Sequence, residues 1–562
     1  MILAGACLLA VAPFSRLGIP SGHDFEFHLF SWMDVLNQWK HGTALPRWAA
    51  GSYWGYGEAR FLFYPPASWM LGAALGVVLP WKLVPGAYCW IALTFAAMAM
   101  YRLARQWLPP SDALFAAVFY ALNPYLLLVI YWRSAYAEML AAALLPLLLL
   151  CLWRLDRPGI LPTLGLSVTL AAAWLTNIPA AVMIHYSAVA LALFLAASRR
   201  FQSPRPSRLL FRTALAIFVG ACLASFYLLP AIYERSWVNI SQVMSPGVRP
   251  QDNFLFTHLA DPDHNRFNLL ISIVTIAEIL VLAGAVCGLT RARMLRAATL
   301  STGAEHFPVG ETPWILLSFW ASGGVLLMFS ITNLFWRNLP NLRFVQLPFR
   351  WLLCVNVALA LLVAMAAKRW PWRLLASVFL LGVLLIAGKQ IQLPWWDTAA
   401  DLTDMNRAVM EGEGYDGTDE YVPAHADPSE LNKNLPQVSD GAGNRVQSKI
   451  LLWGPTEKRF TLHVVEAENL TVRLFNYPAW EVVVNGKPTA TRTMEVTGLL
   501  VIPVPAGDDD VRIFFRRTID RAIGGVVSLI TFLVVLIVSL PAILLKPRKS
   551  EPHVADLSSP AA

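Results

Sequence analysis

Charge is what this chain has least of. Asp, Glu, Lys and Arg make up 14% of its 562 residues, where a soluble domain carries about a quarter. That shortage excludes a water-soluble enzyme of this size, and an apolar share of 57% excludes disorder. Cysteine is scarce too. Cys7, Cys89, Cys151, Cys222, Cys287 and Cys354 each lie inside an apolar run, and none belongs to a CxxC. They read as small buried hydrophobes, so neither a disulfide frame nor a thiolate metal site is supported. No GxxxxGK[ST], HExxH or GxSxG occurs, which leaves P-loop, zinc-peptidase and nucleophile-elbow chemistry without support.

What the chain has instead is length of apolar sequence. Runs able to cross roughly 30 Å of hydrocarbon lie near 84–106, 112–131, 138–153, 160–176, 178–198, 209–231, 268–290, 312–331, 346–366, 371–390 and 521–545. Residues 1–17 add a shorter run with no clean small-residue cleavage site after it. It reads as an uncleaved first helix rather than a signal peptide. Residues 67–80 are apolar over only about fourteen positions, with Pro65-Pro66 before them and Pro80 at their end. A stretch of that length reads as interfacial, which leaves about twelve spans.

The net charge of +8 is then a matter of sides, not of nucleic acid. Four connectors are purely basic: Arg199, Arg200, Arg205, Arg208 and Arg212; Arg291, Arg293 and Arg296; Lys368, Arg369 and Arg373; Lys546, Arg548 and Lys549. Alternation puts all four on one side, which the positive-inside rule makes cytoplasmic, along with both termini. The opposite side receives 18–83, 132–137, 232–267, 332–345 and 391–520. This last segment holds 20 acidic and 12 basic residues, a net of −8. Its later half reads as strands at 459–465, 470–476, 480–484, 499–503 and 511–515, with Asn485-Gly486 as a type I′ hairpin signal. A small β-sandwich is expected there, preceded by a polar, irregular stretch over 397–446.

Three outer-side segments carry ionisable residues where a membrane protein places few without use. The first opens Gly22-His23-Asp24-Phe25-Glu26-Phe27-His28. Asp24 and Glu26 offer hard oxygen ligands to Mg²⁺ or Mn²⁺, or a general base; alternatively Asp24 only starts a helix. The helix expected over 27–40 looks amphipathic, and Trp48, Tyr53, Trp54, Tyr56, Phe61, Phe63 and Tyr64 follow it. Such rings suit sugar stacking or a lipid tail, or form a membrane-interface belt. In the second segment, Tyr131 to Glu138, Glu138 opens an apolar helix as a further metal ligand or a dipole partner, and Arg133 suits a phosphate. In the third, Arg343 to Trp351, Arg350 lies just inside an apolar run, where a phosphate or carboxylate would satisfy it unless it snorkels. Asn177-Ile178-Pro179 and Tyr233-Glu234 mark two further outer helix ends.

An acidic DxE in the first outer loop, an interfacial helix, Arg and Glu in the second loop and a late outer β-domain together resemble the GT-C superfamily. More narrowly, His23-Asp24 to His28, Arg133 to Glu138, Gln346 to Trp351 and Asn476-Tyr477-Pro478-Ala479-Trp480 resemble bacterial YfhO-like membrane proteins, also labelled 6-pyruvoyl-tetrahydropterin synthase-related. The resemblance covers most of the chain. It does not bring pterin chemistry, because the histidine set with which that soluble synthase holds zinc has no counterpart in this sequence. It implies an α-helical polytopic membrane protein: a GT-C-like domain over 1–390 with its catalytic loop at 18–83, a linker at 391–446, a β-sandwich at 447–520, a last span at 521–545 and a cytoplasmic tail at 546–562.

The activity implied is transfer of a sugar from a polyprenyl phosphate in the bacterial inner membrane to a glycan or polymer acceptor of the cell envelope. Asp24 and Glu26 would be catalytic, and Arg133 and Arg350 would hold the donor phosphate. Asp24, Glu26 and Glu138 would hold a divalent cation, although many superfamily members carry Asp where Glu138 stands. Trp48, Trp54 and Tyr64 would line the substrate loop, while Asn177 stands where relatives often have His. The rival reading is a lipid or polysaccharide transporter or an envelope-assembly protein. Transport predicts ionisable groups near mid-span, whereas this chain's candidates lie at the outer mouth.

Overall fold

The computed structural model describes residues 1–198, 206–300 and 313–544. Among them, nine helices are long and apolar enough to cross a membrane: Trp81–Ala104, Pro110–Arg133, Tyr136–Arg154, Ile178–Ala197, Pro206–Leu223, Pro262–Leu295, Pro348–Ala366, Trp370–Ile391 and Ile519–Leu540. A tenth crossing is made only if Pro313–Leu327 and Ser330–Asn338, bent by 89° to each other, count as one. The expected dozen is therefore not reached on length. Ile2–Leu17 and Leu161–Thr176 are apolar but short; at 1.5 Å per residue the 16 residues of the latter reach only about 24 Å. Residues 67–80 form the 13-residue helix Pro66–Val78, packed against Phe25–Lys40 with Trp32 lying over Gly72.

Contacts between the described connectors fall into two groups. In one, Arg373 donates to Asp112 at 2.8 Å, and Arg212 donates to the carbonyls of Leu155, Arg157 and Gly159. Arg199, Arg200, Arg205, Lys546, Arg548 and Lys549 lie outside the described residues. In the other, the first loop meets the segment after Ile391. Ile19–Pro20 pairs antiparallel with Trp396–Asp397, Tyr415 donates to Asp34 at 2.7 Å, and the Thr418 N–H donates to Glu58 at 2.8 Å.

The β-domain is a sandwich of a four-stranded sheet and a five-stranded sheet. Every expected strand is present: Glu457–Val464, Glu468–Phe475, Trp480–Val484, Leu499–Val504 and Gly507–Phe515. Along Glu457–Val464 the inward positions Lys458, Phe460, Leu462 and Val464 alternate with more exposed ones, as a half-buried strand requires. Asn485 and Gly486 both have positive φ, 51° and 76°, between strands whose register pairs Val484 with Lys487. That is the type I′ turn, whose twist matches the flanking strands. The stretch 397–446 is more ordered than its polarity implies. It contains the helix Ala399–Met410, opened by a capping box in which Thr398 and Asp401 satisfy each other's backbone N–H groups.

The sandwich is not a separate bead. Trp48, Tyr53, Tyr56, Ala59, Leu62 and Phe63 from the first loop share its apolar core, so the loop is held between the helices and the β-domain.

Candidate active site at one mouth of the bundle

The site begins with a close backbone approach. The N–H of Asp24 donates to the Arg133 carbonyl at 2.9 Å, and the N–H of Gly22 donates to Ser134 Oγ at 2.9 Å. A Cβ at Gly22 would collide with the Trp132 carbonyl, so only glycine lets the two loops lie this close. Asp24 then opens the helix Phe25–Lys40 without capping it through its side chain. Its carboxylate is free for other work.

Arg133 ends the π-turn Val129–Arg133, and Glu138 lies in the first turn of Tyr136–Ala141. Arg350 comes from the 3-10 turn Pro348–Trp351. These three side chains meet. Arg133 Nη1 donates to Glu138 Oε2 at 2.6 Å, Arg350 Nε donates to the same oxygen at 3.0 Å, and the Tyr125 hydroxyl donates to Oε1. Arg350 Nη1 is also held by the Val345 carbonyl and Gln346 Oε1. Glu138 is 1% exposed, so two guanidinium groups are fixed around one buried carboxylate. Arg133 Nη2 reaches on to Asp24 Oδ2 at 3.4 Å, and the Asp24 side chain is 39% exposed. Arg133 also lies over the Phe349 ring, 5.7 Å from its centroid.

Asp24, Arg133, Glu138 and Arg350 are thus one constellation, but they do not form the expected cation site. Glu138 gives its oxygens to two cationic donors and a hydroxyl, which leaves nothing to share with a metal. Glu26 is exposed and faces elsewhere: partial burial and the nearby carboxylates of Asp397 and Asp416 raise its pKa. Among the described residues no three His, Cys, Asp or Glu side chains are placed to hold an ion together. The donor set Asp24, Glu26 and Glu138 does not fit Mg²⁺ or Mn²⁺.

Of the substrate-loop aromatics only Tyr64 borders this constellation, in edge contact with Phe27 at 4.8 Å and with His28 at 5.8 Å. His28 is buried among Phe27, Trp32, Tyr64 and Tyr136, and burial pushes its pKa down to about 4 against the pull of Asp24. It is a neutral wall residue at neutral pH. Trp48 packs on Tyr477, Trp480 and Phe515. Trp54 lies under Lys433, whose ammonium is 3.6 Å from its ring centroid. Both belong to the joint with the β-domain, because the chain turns between them and Tyr64. Asn177 caps Ile178–Ala197 by accepting from the Ala180 N–H at 2.9 Å, which explains it without a ligand.

Two residues of this region carry no motif. Tyr125 holds Glu138 from beneath. Glu278, fully buried on the long helix Pro262–Leu300, accepts from the Tyr125 N–H at 3.2 Å and from Asn356 Nδ2 at 3.0 Å. It is a mid-span acid that the outer-loop motifs do not flag. A lone charged residue inside an apolar run was the available signal.

Fold and site together define a polytopic helical membrane protein with a charged site at one mouth of its bundle and a β-sandwich over it. The family model of the 6-pyruvoyl-tetrahydropterin synthase related domain, described as a membrane protein, matches residues 61–394, and the chain belongs to that family. No curated protein matches it in sequence. Among solved structures it is similar to the arabinofuranosyltransferase AftD from Mycobacteria, at 17% identity and a TM-score of 0.39, over 73% of this chain and 26% of that one. It is also similar to the oligosaccharyltransferase of Archaeoglobus fulgidus in complex with Zn and sulfate, at 15% and 0.36, over 74% and 53%. The same archaeal enzyme, AglB, in complex with an inhibitory peptide and a dolichol-phosphate, gives 15% and 0.36 over 74% and 56%. The chain spans about a quarter of the mycobacterial protein's length and about half of the archaeal one's. Likeness at this level bears on no residue's role.

Proposed function

We propose that this protein is a membrane glycosyltransferase that moves a sugar from a polyprenyl phosphate to an acceptor outside the cytoplasm. One observation carries the reading. A half-exposed carboxylate, Asp24, stands beside a guanidinium whose other arm is locked, together with Arg350, on a buried glutamate. An acid within reach of solvent suits a general base for an acceptor hydroxyl. Fixed guanidinium groups suit the charge that grows on a departing phosphate, and they need no reorganisation during the reaction. Because the site opens at the membrane mouth, a donor anchored by its own lipid reaches it without leaving the bilayer.

In this mechanism Asp24 takes the acceptor proton and the acceptor oxygen bonds to the anomeric carbon. The bond from that carbon to the phosphate oxygen breaks, and Arg133 and Arg350 hold the phosphate released. Glu138 does not meet substrate; it keeps the two cations at fixed spacing. Glu26, turned toward Asp397 and Asp416, takes no step in this mechanism, and no step runs through a divalent ion. The basic connectors support a reading in which the opposite face is cytoplasmic in a bacterial inner membrane, with both termini on that side and the β-domain outside.

The test is transfer from a labelled polyprenyl-phosphate sugar by the purified protein in lipid nanodiscs, with Asp24→Asn beside it. Envelope glycans and lipid-linked sugars are compared in cells with and without the protein. Full transfer by a folded Asp24→Asn variant would remove Asp24 as base and, with it, this reading. A transport reading draws on Glu278 alone, and Glu278 is fully buried, with both of its oxygens already engaged.

A further inference from the structure

The helix Pro110–Arg133 is not continuous. It stops at Asn123, whose backbone is extended with ψ at 153°, and restarts at Pro124. A restart leaves N–H groups without helical partners. Pro124 has none to place, Asn123 Oδ1 takes that of Leu126 at 2.9 Å, and the Asn123 carbonyl takes that of Leu127 at 3.1 Å. The Tyr125 N–H is satisfied from another helix, by Glu278 Oε1. The segment restarted here, Pro124 to Arg133, carries Tyr125 at one end and Arg133 at the other, and both grip Glu138.

The second oxygen of Glu278 accepts from Asn356. Asn356 lies on Leu352–Ala366, which continues directly from the turn that presents Arg350. One side chain in the interior of the bundle therefore touches the supports of both arginines, and no cation among the described residues pairs with it.

We infer that Glu278 is a positioning residue for the outer arginine pair: bonded at once to Tyr125 and Asn356, it sets the separation of the two helical supports that present Arg133 and Arg350. It works as a hydrogen-bond acceptor between neutral donors, not as a charge. An ionised side chain without a counter-charge at this depth would be costly, whereas an acceptor for an otherwise orphaned N–H is what the broken helix needs. The inference rests on the transferase reading only for its kinetic readout.

The experiment compares the full-length wild type, Glu278→Gln and Glu278→Met in nanodiscs by hydrogen–deuterium exchange and by donor titration. Gln keeps an acceptor for Tyr125 and exchanges amide bonds with Asn356; Met keeps the bulk and loses both bonds. In Glu278→Met, exchange over 122–133 and 348–358 should rise about tenfold, the scale of one lost buried hydrogen bond, with the β-domain unchanged. The kcat/KM for the lipid-linked donor should fall by a similar factor of about ten. Glu278→Gln should match wild type in exchange, in kcat/KM and in the pH profile of transfer.

A folded Glu278→Met variant with both segments protected as in wild type would overturn the inference. So would a Glu278→Gln variant that loses protection or shifts the pH profile, since either would show the charge or the proton to matter; this second arm decides alone if Glu278→Met does not fold. If the wild type transfers no sugar, the exchange data still decide on Glu278 while the transferase reading falls separately.

Discussion

Glu138 and Glu234 are built from the same parts and do different things. Each is a buried glutamate that accepts from a tyrosine hydroxyl and from arginine. At Glu234 the set is closed. Arg521 binds both oxygens at 2.7 Å, Tyr477 donates at 2.5 Å, and Thr518 donates at 3.3 Å. One cation meets one anion, and the pair joins the loop after Tyr233 to the β-domain and the last helix. At Glu138 two cations share one anion, and the second anion that balances them, Asp24, is the one left partly in solvent. The difference is one exposed carboxylate, and it separates a structural joint from a place where a ligand can exchange.

That contrast breaks most visibly at the joint. Glu234→Ala leaves Arg521 buried without its partner, and one-sided loss of a buried pair costs about 3–5 kcal/mol. Thermal unfolding in detergent should show it as a large drop in Tm, and a drop no larger than that of Asp24→Asn would erase the distinction. Asp24→Asn should lower transfer at least about 100-fold, the usual contribution of a positioned base. Its Tm should stay within error, because one long hydrogen bond at a half-exposed carboxylate holds little.

A third buried basic residue sharpens the comparison by having no counter-charge among the described residues. Lys458 is 3% exposed, donates only to the Gly454 carbonyl and lies between Trp453 and Trp480; burial brings its pKa down to about 7. Its native pKa lies below the unfolded value near 10.4. Between those limits the unfolded chain binds the proton that the native chain releases, so this group adds stability as pH rises through that window and costs most below pH 7. Lys458→Met should therefore stabilise the β-domain by about 2 kcal/mol near pH 6, with the gain vanishing towards pH 10. A gain independent of pH would show that Lys458 is already charged and solvated. The smallest effect belongs to Arg350→Lys, which keeps the charge but cannot reach Glu138, Val345 and Gln346 together. The kcat/KM for the donor should fall about tenfold; an unchanged kcat/KM would free Arg350 from phosphate binding.

Much of this was legible in the sequence, and the misses have physical reasons. Strand alternation and Asn485-Gly486 are local signals, and the sandwich formed where they predict. The two-sided sorting of loops is an expectation from charge alone. Charge pairing across distant segments is not local, so a carboxylate at 138 reads as a ligand until Arg133 and Arg350 are seen occupying it. Ala399–Met410 hid inside a polar segment, where Leu402, Met405 and Val409 at helical spacing and the Thr398–Asp401 capping box were the available signals. Trp48 and Trp54 read as substrate rings because their real partners, Trp480 and Lys433, lie hundreds of residues away. Glu278 hid in the opposite way, as one acid in a run whose apolar length was its most visible property.

The short ladder between Ile19–Pro20 and Trp396–Asp397 also sets an order of events during synthesis. Residues 19 and 397 are 378 positions apart (397 − 19), which at about 5–20 residues per second is a delay of roughly 20–75 s. Throughout that interval the loop bearing Asp24 stands at the membrane surface without the strand, the Tyr415 hydroxyl or the Thr418 N–H that later hold it. The bundle is thus largely inserted before its mouth can close, and a chain cut short before residue 397 would keep Asp24, Arg133, Glu138 and Arg350 but lack the strand, hydroxyl and N–H that hold the first loop over them.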